Sequence, residues 1–437
     1  MRRPLLLVAL MVWLGCRQGL AQSVFSIIDG DRNFAAGCYG IYPDSHLPKL
    51  TPAPKGYKPF YISHYGRHGS RYLNDIKAFY TPYQTLLAAD SLGKLTPQGQ
   101  VALHEMRLNI DDAEDRWSDL TGVGKDQQRG IVRRMSRNFP EVFRHGGFVD
   151  AYSTIVTRCA LSMGTSVLEL VREYPDLEVT MNNSYSNMWY MNRQDKSLRD
   201  SAMTQRVKTV FDEFIDKHGR NDRLIAMLFN DSAYVSQHVS KMWTAYYLLK
   251  AALIQPNTHR RENVNPLLQM FSSEDYHMFW KIENAWSYIR SGFCELNGAR
   301  QPYLQCYLLR QMISEADSII QSRKHGASLR FGHETVLLPL VCLMGINGYD
   351  YRTADLDSLE SKGWWANSVS PMSGNLQIVF YRKNDTDREL LVKVLLNEKE
   401  ARLPLPSDLA PYYRWSDFRE YYLKRVAEGE SALGVKR

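Results

Sequence analysis

Residues 63–73 of the 437-residue chain read SHYGRHGSRYL, and they gather the side chains best equipped for chemistry. Arg67 and Arg71 flank His68, and Gly66 and Gly69 bracket the Arg-His pair. Like charges crowded into one place repel, so this spacing calls for a compensating anion. Two guanidinium forks suit the oxygens of a phosphoryl group. An imidazole beside them is partly neutral near its ordinary pKa of about 6.5, and can attack phosphorus. The alternative is a solvated basic loop. Two other His-Gly pairs, Arg144-His145-Gly146 and His325-Gly326, lack a second arginine at this spacing, so the triplet alone carries little weight.

Such residues need a scaffold. The apolar FYI (60–62) reads as a buried strand ending at Gly66, which puts the motif at a sheet edge, where α/β proteins build sites. LTPQGQVALHEMRL predicts a helix with Thr96 as N-cap and Pro97 at its first position, and a second helix follows over 122–140. FVDAYSTIV (148–156) is strand-like, CALSMGTSVLELVREYP (159–175) is an amphipathic helix, and LEVTM is another strand. From about 183 to 325 strand signals fade into long helical stretches rich in Trp, Tyr and Met, which read as core. ASLRFGH (327–333) restores a strand, HETVLLPLVCLMG a helix, and NLQIVFYR and ELLVKVLL two more strands. The pattern predicts an α/β core in two parts, 22–182 (with a helical excursion at about 75–145) and 326–437, interrupted by an all-α domain over 183–325.

The first 21 residues have a basic start (Arg2, Arg3), an apolar stretch (Leu5–Leu14) and a small-x-small site at Gly19-Leu20-Ala21, the pattern of an export signal. Cys16 as a lipoprotein acceptor is the competing reading, with Trp13 standing where a leucine is expected. Either way the protein works outside the cytosol, in the periplasm or secreted. Removing the leader leaves 51 basic against 47 acidic side chains, and no Lys/Arg block, which excludes a nucleic-acid binder. No later apolar run is long enough to span a bilayer. Five cysteines remain; Cys294 and Cys306, on a short local segment, are the expected disulfide if one forms. The sequence holds no H-x-x-x-H pair, no paired C-x-x-C and no nucleotide-binding Gly-rich loop, so neither metal nor cofactor is expected.

R-H-G-x-R after a strand resembles the histidine acid phosphatases of the histidine phosphatase superfamily. LTPQG (95–99) and the stretch from Leu120 through Gln127 and Gln128 resemble that family's L-T-x-x-G helix starts, and YSTIVTR (152–158) its S-T-x-x-x-R segment. RFGHETVLLPL (330–340) resembles the second histidine motif, in the frame of the multiple inositol polyphosphate phosphatase branch. The resemblance implies a Rossmann-like core with a mixed sheet flanked by helices, and a phosphoric monoester hydrolase. It also implies His68 as nucleophile, Arg67, Arg71, Arg158 and His333 as phosphate ligands, and phytate or another inositol polyphosphate as the anionic substrate. Arg193 and Lys196 fall where an inserted helical domain could roof a polyanion site; a solvated charged loop is the other reading.

Two positions depart from the family pattern. Leu73 stands where a proline is usual, and His333-Glu334-Thr335 replaces the branch's H-A-E. Glu334 then falls where the related H-D enzymes place their acid, and its extra methylene leaves it able to reach a leaving oxygen. A broad-specificity acid or sugar-phosphate phosphatase would share every core residue. A non-catalytic polyanion-binding protein would keep the arginines and tolerate loss of the acid.

Overall fold

A computed structural model describes residues 23–45 and 47–434; the leader and Cys16 lie outside them. The FYI segment is the middle of a ten-residue strand, β1 (Lys58–Arg67). Its alternating side chains serve two cores: Tyr61 and Tyr65 pack into one hydrophobic cluster, Ile62 into another. Burial on both faces is what makes the segment read as a continuous apolar run.

Six further strands build the sheet around it: β2 (Phe148–Ser153), β3 (Glu178–Asn182), β4 (Gly326–Gly332), β5 (Asn375–Arg382), β6 (Leu391–Leu396) and β7 (Tyr412–Arg414). The spatial order is β7-β6-β5-β1-β4-β2-β3, with the short Lys399–Glu400 strand paired onto β6. β1, β4, β2 and β3 run parallel, and β5, β6 and β7 continue the sheet antiparallel. Register aligns the ends of the three central strands: Arg67 lies opposite Gly332, and Ser153 opposite Phe331. The residues that follow β1, β2 and β4 therefore emerge at one edge, as the mixed α/β expectation requires.

Nine helices of the described residues matter here: α1 (Lys77–Ser91), α2 (Pro97–Ala113), α3 (Gly122–Asn138), α4 (Thr157–Glu173), α5 (Lys241–Ile254), α6 (Ser273–Ser291), α7 (Cys306–Ser322), α8 (Glu334–Met344) and α9 (Trp415–Ala432). Thr96 caps α2 by accepting from Gly99 N, and Thr121 caps α3 by accepting from Gly124 N. Helix α3 packs on α4 beneath one sheet face, while α8 packs among apolar residues on the other. The helices of 183–325 do not keep a core to themselves: α5 packs on α1, and one cluster runs through both and on to α8.

Cys294 and Cys306 are both free and buried, which corrects the expected disulfide. Cys294 sits on a two-residue strand opposite Thr353, and Cys306 opens α7 facing Gly429 of α9. Among the described residues no helix is long and apolar enough to cross a membrane.

Candidate active site

The loop after β1 is held by its backbone before any side chain acts. Arg67 N donates to Gly374 O (2.8 Å) and His68 N to Gly332 O (2.9 Å), so the chain is tied to the strands on both sides. Gln128 Nε2 donates to Arg67 O (3.0 Å), and Ser70 N to Gln127 Oε1 (3.0 Å). Gly69 and Gly124 then touch backbone to backbone: a Cβ on Gly69 would stand 2.3 Å from Gly124 O, and one on Gly124 would stand 2.3 Å from Ser70 O. The start of α3, with its Thr, Gly and two Gln, is thus a splint for the R-H-G-S-R loop. That is the physical content of the second L-T-x-x-G match.

Three arginines converge from two elements. Arg67 ends β1, and one of its terminal nitrogens donates to the carbonyls of Cys38 and, at 2.8 Å, Ser370. Arg71 donates to Tyr72 O (2.7 Å). Arg158, expected at a strand end, sits instead in the first turn of α4, because β2 stops at Ser153. The Nε atoms of Arg71 and Arg158 are buried without a hydrogen-bond partner among the described residues, and Arg67 Nε faces the Glu334 carboxylate at 3.1 Å. Burial, and the neighbouring cations only partly offset by Glu334 and Tyr39, bring Arg71 down to about 10, still fully charged near neutral pH. Buried cationic donors left open in this way form a receptor for an anion.

His68 is wholly buried at the base of this cluster. Its Nδ1 lies 2.9 Å from Gly69 O, a carbonyl that can only accept, so Nδ1 carries the proton and Nε2 keeps its lone pair. Nε2 has no partner among the described residues. Burial first, and then Arg67 and Arg71, hold its pKa well below the usual histidine range. A neutral imidazole with one fixed tautomer and a free Nε2 persists even in acid, as a nitrogen nucleophile there requires.

The second histidine motif closes the other side. His333 is the N-cap residue of α8, and its ring lies edge-on to that of His68 with centroids 5.7 Å apart. His333 Nε2 is 3.1 Å from Thr154 Oγ1, and its backbone N donates to Tyr65 OH (3.3 Å). Gly332 is required here, because a Cβ would stand 2.0 Å from that Tyr65 oxygen. Burial lowers His333 to about 4, with Glu334 opposing and the arginines assisting. Glu334 is the first residue of α8, with its side chain 29% exposed. Burial works to raise its pKa, but Arg67, His68, Arg71 and His333 together outweigh it, so the carboxyl stays below the usual carboxylate range.

A cavity of about 540 Å³ opens over these groups, lined by Arg67, Arg71, Arg158, His333 and Glu334 on the sheet side. Arg193 and Lys196 do not line it. Arg193 stacks 4.2 Å over the Tyr307 ring, and Lys196, 80% exposed, pairs with Asp200 one turn along its own helix (2.5 Å). Their neighbours Asn192 and Gln194 reach the cavity instead. Sequence reasoning missed Lys250 of α5, and Glu283 and Arg290 of α6, which form the roof. In ENAWSYIR (283–290) the signal was present: Glu283, Trp286, Ser287 and Arg290 share one helix face, but so aromatic a stretch reads as core. Among the described residues no group of three His, Cys, Asp or Glu could hold a metal ion.

A mixed sheet flanked by helices, with β1, β2 and β4 ending at one edge, is a fold shared with solved phytases and an inositol polyphosphate phosphatase. The multiple inositol polyphosphate phosphatase of Bifidobacterium longum, solved in complex with inositol hexasulfate, matches with a TM-score of 0.70 at 18% identity, over 90% of this chain and 97% of that one. The phytase from D. castellii matches with a TM-score of 0.66 at 13% identity, over 90% and 85% of the two chains. Hafnia alvei phytase in complex with myo-inositol hexakis sulphate gives 0.50 at 12%, over 86% and 98%. No family model and no curated protein sequence matches the chain. The α/β fold with a mixed sheet flanked by helices that the sequence predicts is the fold found, and these solved structures share it.

Proposed function

We propose that the protein is an exported phosphomonoesterase of the histidine acid phosphatase type, acting on phytate or other inositol polyphosphates through a phosphohistidine. One observation carries this: three arginines, two with open, buried Nε donors and the third with its Nε facing the Glu334 carboxylate, surround a neutral histidine whose free Nε2 has no partner among the described residues. A solved structural neighbour, the B. longum enzyme, is named an inositol polyphosphate phosphatase and was crystallised with phosphate, which supports the same substrate class. Export rests on the leader sequence alone.

The phosphoryl group enters between Arg67 and Glu334, and its oxygens take the donors of Arg67, Arg71 and Arg158, with His333 alongside. The His68 Nε2 lone pair forms the N–P bond as the P–O bond to the leaving group breaks in line. Glu334 gives its proton to the departing oxygen. A water then attacks phosphorus, loses a proton to the Glu334 carboxylate and breaks the P–N bond, which releases inorganic phosphate and neutral His68.

Glu334 must first acquire that proton. In the empty site it is held ionised by Arg67; a bound phosphoryl anion takes over the arginines and places negative charge beside the carboxyl, and both changes raise its pKa. The test is to incubate the purified protein with phytate and excess chelator and follow phosphate release. Release is expected, because the arginines supply the charge that a cation supplies elsewhere. No release from phytate or from an aryl phosphate would overturn the proposal.

A further inference from the structure

The roof of the cavity is built from two helices, and its charges largely cancel. Lys250 Nζ lies 3.4 Å from Glu283 Oε1, and Tyr246 OH, one turn before Lys250, donates to the same oxygen. The ammonium also lies 4.8 Å from the Tyr39 ring centroid and 5.3 Å from that of Tyr246. Burial opposes the charge of Lys250, but Glu283 and the two tyrosines more than restore it, so the lysine stays protonated. Tyr39 also acts electrostatically on Arg71, so the Lys250–Glu283 pair stands next to the phosphate cradle, one tyrosine away.

The cavity as a whole is lined by five basic side chains and three acidic ones, Asp75, Glu283 and Glu334, a net of two positive charges. His333 adds none, since burial keeps it neutral above about pH 4. A phosphomonoester carries about −1.5 to −2 near neutral pH, and less in acid. Two net charges, or three once Glu334 holds its proton, therefore balance one or two phosphate groups and leave the rest of a hexakisphosphate uncompensated. A phosphate beyond the one in the arginine cradle would meet a lysine already committed to Glu283, or Asp75 itself.

We propose that the Lys250–Glu283 pair is a charge-selecting element, which moderates the cavity's preference for highly phosphorylated inositols over those with few phosphate groups. This rests on the phosphatase assignment above. Lys250 is the contact to the second phosphate; Glu283 is a positioning residue that limits how much anionic charge Lys250 accepts.

The experiment compares kcat/KM for inositol hexakisphosphate and for an inositol monophosphate in the full protein and three variants. Glu283→Gln keeps an amide oxygen for Tyr246 and should raise the hexakisphosphate-to-monophosphate ratio by roughly threefold to tenfold, through KM rather than kcat. Lys250→Met should lower the ratio by a similar factor. The double variant, which removes both charges and leaves the net unchanged, should return close to the wild-type ratio. Ratios that do not move, or that move the same way in both single variants, would overturn the proposal while leaving the phosphatase assignment intact. Absence of release from both substrates by the wild type would instead remove the assignment itself, and this proposal with it.

Discussion

The Glu334 carboxylate lies 3.1 Å from Arg67 Nε, at the point where a phosphoryl oxygen would need that nitrogen. In the empty site the acid thus serves as the arginine's counter-ion. On the proposed mechanism it becomes a proton donor only when substrate displaces it. The chemistry of Glu334 is therefore conditional on occupancy, and this has consequences that can be measured.

Glu334→Gln should harm substrates with basic leaving groups far more than activated ones. An inositol alkoxide needs a proton to depart, and a nitrophenolate does not. We expect kcat on phytate to fall about 100-fold or more, with p-nitrophenyl phosphate falling by less than tenfold, in steady-state assays on both. Equal losses would leave Glu334 a mere counter-ion.

The pH dependence should show the same coupling. A donor must hold its proton, so activity is present below the Glu334 pKa and lost as pH rises through it. Arg67 and its neighbours keep that pKa below the usual range in the free enzyme, and bound phosphate raises it. The falling limb should therefore sit at higher pH in kcat than in kcat/KM, and should vanish from kcat in Glu334→Gln.

Helix α3 offers a structural control. Gly124→Ala drives a Cβ to 2.3 Å from Ser70 O and 2.6 Å from Ser70 N, backbone atoms that cannot turn aside. We expect about 1–3 kcal/mol of lost stability in denaturant titrations, and a lower kcat, because Ser70 belongs to the catalytic loop. Gly122→Ala, with nothing within 4 Å, should be neutral or slightly stabilising.

Stability should fall in acid for a reason inside the site strand. His64 and His333 are held by burial at about 3 and about 4, while an unfolded histidine titrates near 6.5. Between those values the unfolded chain binds more protons, so stability is lost as pH falls below about 6.5. Each histidine should account for roughly 2–3 kcal/mol by pH 4.5. Thermal melts at pH 7 and 4.5 check the slope, and His64→Gln should flatten it. Added phosphate, which binds only the folded protein, should raise the melting temperature at both values.

The R-H-G-S-R loop was legible in the sequence because its parts are local: a doubly buried strand, two glycines and charged residues within five positions. Thr96 and Pro97 announced their helix by cap chemistry, and the structure has that cap. Arg158 and His333 could be placed only through resemblance, since nothing local shows that two strands 170 residues apart end side by side; the register of β2 on β4 does. The roof was illegible for a further reason. Lys250 and Glu283 sit in stretches whose aromatic content is that of a core, and Tyr246, Trp280 and Tyr288 are indeed buried there. Between the two readings of Arg193 and Lys196 the sequence could not choose, because a polar loop says nothing about which of its side chains turns inward; Tyr307 and Asp200 engage the two charges, and the uncharged Asn192 and Gln194 face the cavity.

The central claim is that phosphate passes through His68. Its most direct test is to mix enzyme with phytate, quench in alkali within one turnover, and map the phosphorylated peptide by mass spectrometry. We predict a single phosphoryl group on His68 in the wild type, and neither adduct nor more than about a thousandth of the activity in His68→Ala. Turnover without an adduct on His68, or an adduct on another residue, would contradict the mechanism.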